Sequence, residues 1–158
     1  SNYVNRVYVS VLGREASESE KSSGFNILRQ NNLSMSSRLQ FLYDVFSDAK
    51  YFDHLYTHAR IDLLNNIDTI EVYQQWQLDS LILTTTVDQN VIFLILADME
   101  RLDSLRQVPN DLAGHQIEVT YMHRRCVNNY FYDQINMGTE NFVISCFQHF
   151  LNRYPTAK

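Results

Sequence analysis

Apolar positions recur along this chain at helical spacing from its first turn to its last. In "SNYVNRVYVSVLG", Tyr3, Val4, Val7, Tyr8, Val11 and Leu12 share one face of a 3.6-residue period, and Gly13 then supplies the residue type that ends helices. Ser17 followed by Glu20 is a capping box, so a second helix is expected from there to about Gln30, with Phe25, Ile27 and Leu28 inward. A Ser cap in "NNLSMSS" starts a third, whose stripe reads Leu39, Leu42, Val45 and Phe46. Asp48 can cap a fourth carrying Phe52, Leu55, Tyr56, Ala59 and Leu63, and Asp68 with Glu71 forms another capping box ahead of Val72, Trp76 and Leu81 or Ile82.

The weak helix formers Thr84 to Thr86 mark a break. Beyond it, Val91, Leu94, Ile95, Asp98, Leu102 and Leu105 follow one face of a long helix that stops before Pro109. The run "VIFLILA", Val91 to Ala97, reads as a buried helix segment, because it is far shorter than the ~20 residues that span a bilayer. "PNDLAGHQ" reads as a loop, "IEVTYMHRRCVNNYFYDQIN" as one helix ending at Gly138, and Thr139 as the cap of the last helix. The pattern predicts an all-α, single-domain bundle of seven or eight helices over residues 1–158.

Composition narrows the function classes more than it selects one. With 45% hydrophobic and 20% charged residues the chain lies outside the regime of disorder, and four Gly and two Pro punctuate it too sparsely for a β-sandwich or barrel. A chain of this length can bury roughly 70% of the surface it exposes when unfolded. The net charge of −5 and the lack of a Lys/Arg run argue against nucleic acid as a partner. Cys126 and Cys146 fit two reduced thiols or a single disulfide equally well.

The two ends of the chain repeat a phrase. A gapless alignment places Asn2 on Asn141, Tyr3 on Phe142, Val4 on Val143, Tyr8 on Phe147, Leu12 on Leu151, Arg14 on Arg153, Ala16 on Pro155 and Ser17 on Thr156. Leu12, Arg14, Ser17 and Glu20, with Leu151, Arg153 and Thr156, then read as two copies of a helix corner: an amphipathic helix, a cation near its C-terminal dipole, and a cap for the next helix. Should the natural chain continue past Lys158, Glu or Gln is expected at position 159, to complete the second capping box.

Leu12, Gly13, Arg14 and Glu15, with the Ser47 to Tyr51 segment, resemble the small helical repeats of unknown function in bacterial secreted and surface proteins. "FLNRYPT" is similar to a Leu-x-Arg-x-Pro-Thr phrase in modules attached to bacterial cell-envelope cytochromes. The likeness covers about the first third and the last tenth of the chain. It implies a periplasmic or cell-surface setting, against a cytoplasmic alternative, and a non-catalytic binding or scaffolding role that takes a protein partner or small ligand, with no catalytic residue and no cofactor.

Side-chain chemistry offers two candidate sites. His54, His58 and Asp62 recur every four residues on one helix and form a stripe that could bind a divalent metal, the basis of an alternative reading as a metal- or cofactor-dependent enzyme. No Glu completes the His-Glu-x-x-His arrangement, and no P-loop, dinucleotide or Gly-x-Ser-x-Gly motif occurs. The aromatic groups "KYFDHLY" and "NNYFYDQ" read mainly as core, with Tyr51, Tyr56, Tyr130 and Tyr132 as the candidate partner surface.

Overall fold

A computed structural model describes residues 2–30, 32–136 and 138–156. Among them the chain forms ten α-helices and no strand: α1 (Asn2–Leu12), α2 (Glu18–Arg29), α3 (Met35–Phe46), α4 (Ala49–Leu64), α5 (Thr69–Thr85), α6 (Gln89–Arg106), α7 (Val108–Ala113), α8 (Val119–Val127), α9 (Tyr130–Ile135) and α10 (Thr139–Leu151). The all-α class read from the apolar period is the observed one. The chain divides into two compact units, residues 1–55 and 56–158, with the boundary inside α4.

In the first unit, Val4, Tyr8 and Leu12 of α1 meet Leu28 of α2 and Phe41 and Val45 of α3, with Ala16 beneath the corner between α1 and α2. Gly24 lets these helices approach: a Cβ there would lie 2.8 Å from the Phe41 ring and 3.0 Å from a Val4 methyl. The face of α3 differs from the expected stripe, since Leu39 and Phe46 point to solvent while Ser37, Phe41 and Val45 are buried. Ser37 fits there because its hydroxyl shares a 3.0 Å hydrogen bond with that of Ser34, the cap of α3.

The second unit is built around α6, which packs on α5, α7, α8 and α9. Leu102 and Leu105 of α6 are fully buried with Val108, Leu112, Met122 and Cys126. Three helix limits differ from the sequence reading. Val108–Ala113 is helical where a loop is expected, because Pro109 sits in the first turn, where its missing amide would have no helical partner.

The expected single helix after Glu118 breaks into α8 and α9 at Asn129, a residue with no exposed surface. The Asn129 side-chain amide donates to the carbonyls of Arg125 (2.8 Å) and Cys126 (2.9 Å), and its carbonyl accepts from the amides of Phe131 (3.0 Å) and Tyr132 (3.2 Å). One side chain thus closes the end of α8 and opens α9. The last helix begins after Gly138 at φ 92°, and Thr139 lies within its first turn instead of capping it.

Candidate functional site

From Val72 through Ala97 the only charged side chains are Asp79 and Asp88. The Asp68–Glu71 capping box sets the start of α5, and a short connection at Thr86–Asp88 turns the chain back, so α5 and α6 form an antiparallel hairpin. Asp79 is buried and accepts from the Gln75 side-chain amide at 2.9 Å. The sequence therefore leaves Asp88 as the hairpin's one exposed charge over this span. Asp88 is itself engaged as the cap of α6, accepting from the Asn90 amide at 2.9 Å.

The polar groups at the tip are turned back on the backbone. The hydroxyls of Thr84, Thr85 and Thr86 donate to the carbonyls of Leu81, Ile82 and Ile82 at 2.7, 3.0 and 2.8 Å. All three hydroxyls are thus engaged by carbonyls of the last two turns of α5. Leu81 is 65% exposed, Val87 90%, Phe93 71% and Leu94 64%, with Leu78 and Leu96 about half exposed. "VIFLILA" is thus a surface segment and not the buried one its hydropathy suggests. Its run has no polar interruption to orient it: Ile92 and Ile95 turn partly inward while Phe93, Leu94 and Leu96 remain outside. A helix apolar on all sides is normally covered on all sides, and single-chain surfaces rarely carry an apolar patch above a few hundred Å².

Of the four tyrosines read as a partner surface, two are interior. Tyr56 is buried, which pushes its hydroxyl up to about 12, and Tyr132 is fully buried, also raised to about 12 by burial. Tyr132 donates to the Ser145 hydroxyl at 3.0 Å, and Ser145 lies 3.0 Å from His149 Nδ1, so the chain of contacts ties α9 to α10. Tyr51 is half-buried against the first unit's core, and Tyr130 is half-buried beside Phe131.

The His54, His58 and Asp62 stripe does not assemble into a metal centre. Among the described residues no group of three His, Cys, Asp or Glu side chains is placed to hold an ion. His54 is half-buried and its ring lies against Gly13, 2.9 Å from where a Cβ would stand, while His58 and Asp62 are exposed. Helical spacing aligned the three residues along α4, but packing drew the first of them aside. Asp62 lines a shallow cavity of about 500 Å³ with Asn65, Ser145, Gln148 and His149. A second cavity, of about 300 Å³, is lined by Glu100, Arg101, Tyr121, Arg124 and Arg125. In it Arg125 is held by Asp111 at 2.6 Å and by the Ser104 carbonyl at 3.2 Å. Cys126 and Cys146 are free thiols, and burial pushes Cys126 up to about 12.

The two repeated phrases have corresponding local geometry. Gly13 (φ 65°) follows Leu12, and Asn152 (φ 48°) follows Leu151; their amides reach the carbonyls of Val9 and Gln148, each at 3.1 Å. Arg14 lies over the Tyr8 ring at 5.4 Å and Arg153 over Phe147 at 4.8 Å. The surroundings differ: Leu12 is buried and Leu151 exposed. At the first corner Ser17 and Glu20 form their capping box, and Glu20 also takes two hydrogen bonds from Arg14 (2.9 and 2.8 Å) and one from Lys50 (3.1 Å). Thr156 lies in non-helical chain beyond α10.

No helix among the described residues is long and apolar enough to cross a membrane. No family model, curated protein or solved structure matches this chain.

Proposed function

We propose that this chain is a non-catalytic helical interaction module whose partner surface is the outer face of the α5–α6 hairpin. The observation that supports this is the exposure of Leu81, Val87, Phe93 and Leu94 on a hairpin that carries, from Val72 through Ala97, one exposed charge, Asp88. Water contact with so much apolar area is unfavourable by about 25 cal/mol per Å², and covering it is the source of association energy. The bacterial cell-envelope setting belongs to the same proposal, and rests on the likeness of the Leu12 to Glu15 phrase to repeats in secreted and surface proteins.

Site-directed photocrosslinking in the source cells tests the surface. A photoreactive side chain at position 94 is expected to give discrete adducts, while one at Met35, which is just as exposed but lies in the first unit, gives none. Equal adducts from both positions, or none from either, would overturn the reading.

A further inference from the structure

We infer that the cavity between α6 and α8 is a binding site for a small phosphate monoester, held by the guanidinium groups of Arg101, Arg124 and Arg125 with the Tyr121 ring against its organic part. The inference stands independently of the hairpin as an interaction surface. Its first support is the gathering of charge. Residues 56–158 carry seven cationic side chains against twelve acidic ones, and three of the seven line this one cavity of about 300 Å³. The one acid of the lining, Glu100, is exposed, where water screens its repulsion of an anion. Arg124 and Arg125 stand in the last turn of α8, where the macrodipole favours cations with or without a ligand. Arg101 has no such reason, because it stands on α6 five residues short of that helix's end.

Unfilled donors are the second support. A guanidinium carries five N–H donors. Arg125 makes both of its hydrogen bonds, to the Asp111 carboxylate at 2.6 Å and the Ser104 carbonyl at 3.2 Å, from one Nη, so its position is fixed while its Nε and other Nη keep their donors. Arg124 has no carboxylate partner among the described residues, and its guanidinium lies 5.8 Å from the centre of the Tyr121 ring. Arg101 forms an ion pair with Asp98 at 2.8 Å, but the two groups meet in a geometry that makes no hydrogen bond, and Arg101 Nε is enclosed without a partner.

The third support is the match between donors and ligand. A carboxylate is planar and one guanidinium fork satisfies it, whereas a phosphate monoester offers three terminal oxygens and close to two charges, enough for all three arginines at once. A volume of about 300 Å³ is the lower end for small-molecule sites and leaves room beside the phosphate for an organic substituent. Tyr121, about half exposed, supplies apolar surface for that substituent.

An NMR titration of the backbone amides of the full chain, at constant ionic strength, tests the inference. Phenyl phosphate is expected to bind with a dissociation constant of ~1 mM or below and to shift the amides of α8 and of residues 100–104. Inorganic phosphate should bind ~10-fold more weakly for want of the ring contact, and benzoate, which has the ring and only a carboxylate, should not saturate by ~10 mM. Arg124→Gln, at a side chain with no carboxylate partner to lose, should weaken phenyl phosphate ~10-fold, and Arg101→Gln as much. Arg106→Gln removes a cation of α6 outside this cavity and should leave the affinity unchanged, with circular dichroism matching wild type in all three variants. No saturable shift by ~10 mM phenyl phosphate, shifts confined to other elements, or equal losses from Arg106→Gln and Arg124→Gln would each overturn the inference. Benzoate binding as tightly as phenyl phosphate would overturn the assignment of the ligand as a phosphate ester.

Discussion

Replacing Asn129 should be the most damaging single polar change in the second unit, and its cost can be worked from four contacts. The side chain is fully buried, caps α9 through two backbone amides, and satisfies two carbonyls at the end of α8. Asn129→Ala loses the cap, worth ~1–2 kcal/mol, and strands two carbonyls at about 1 kcal/mol each, for a total of roughly 3–4 kcal/mol. Asn129→Ser keeps an acceptor for the amides of α9 and gives up the two donated bonds, so its cost should be about half. The assay is urea unfolding followed by fluorescence of Trp76, the chain's one tryptophan, which lies in the second unit. With a slope of ~2 kcal/mol per molar urea, Asn129→Ala should lower the midpoint by about 1.5–2 M and Asn129→Ser by about half that, the slope staying constant. An Ala variant within ~1 kcal/mol of wild type, or a Ser variant as damaged as Ala, would refute the assignment of both helix ends to this side chain.

Three further outcomes follow from the same geometry. The Arg14 hydrogen bonds, with the Ser17 amide and Lys50, hold the Glu20 carboxylate well below the usual range. Its folded pKa is thus depressed, so its contribution to stability is present above the unfolded value, near 4.3, and lost as pH falls further. Glu20→Gln should cost about 2 kcal/mol at neutral pH and flatten the acid limb of a thermal-melt series; an acid limb identical to wild type would contradict this. Gly24→Ala should destabilise the first unit by ~1–3 kcal/mol, since its Cβ meets Phe41 and Val4, and a neutral effect in chemical denaturation would show that the helices can separate. Cys126, buried and pushed up to about 12, should resist a thiol reagent at neutral pH until the chain is unfolded, and rapid labelling of the native chain would contradict its placement.

What the sequence made legible was mostly local chemistry. Both capping boxes, at Ser17 with Glu20 and at Asp68 with Glu71, form as read, because their bonds span three residues and need no tertiary context. The helix stops at Gly13 and after the Thr84 to Thr86 run are similarly local. The break at Asn129 was written in the chain as two successive asparagines, but the apolar period on either side is continuous enough to hide it. The facing of α3 depended on a partner: Ser37 is inward only because α3 packs through that side, and Leu39 is outward for the same reason.

The surroundings of the candidate site residues were hidden for related reasons. Tyrosine has an apolar body and a polar tip, so its sequence position does not say whether the ring lies inside; Tyr56 and Tyr132 are core, and Ser145 satisfies the Tyr132 hydroxyl. The His54, His58 and Asp62 spacing fixes a common stripe of α4 but not the direction in which a packed ring turns. The exposure of the α5–α6 hairpin was not foreseen because an unbroken apolar run implies burial by something, and in this chain nothing among the described residues covers Phe93 and Leu94. The run itself was the signal: it says that a cover is needed and not which molecule provides it.

Whether that face is covered in the cell can be measured without knowing its partner. In a Cys146→Ser background, whose remaining thiol, Cys126, is buried, Leu94→Cys and Met35→Cys place a reporter on the hairpin and on the first unit. Both sites should react alike with a small thiol reagent in dilute purified protein. In intact source cells the account predicts that the thiol at position 94 is protected while the one at position 35 still reacts. Equal reactivity of the two positions in cells would contradict the assignment of the α5–α6 hairpin as an interaction surface.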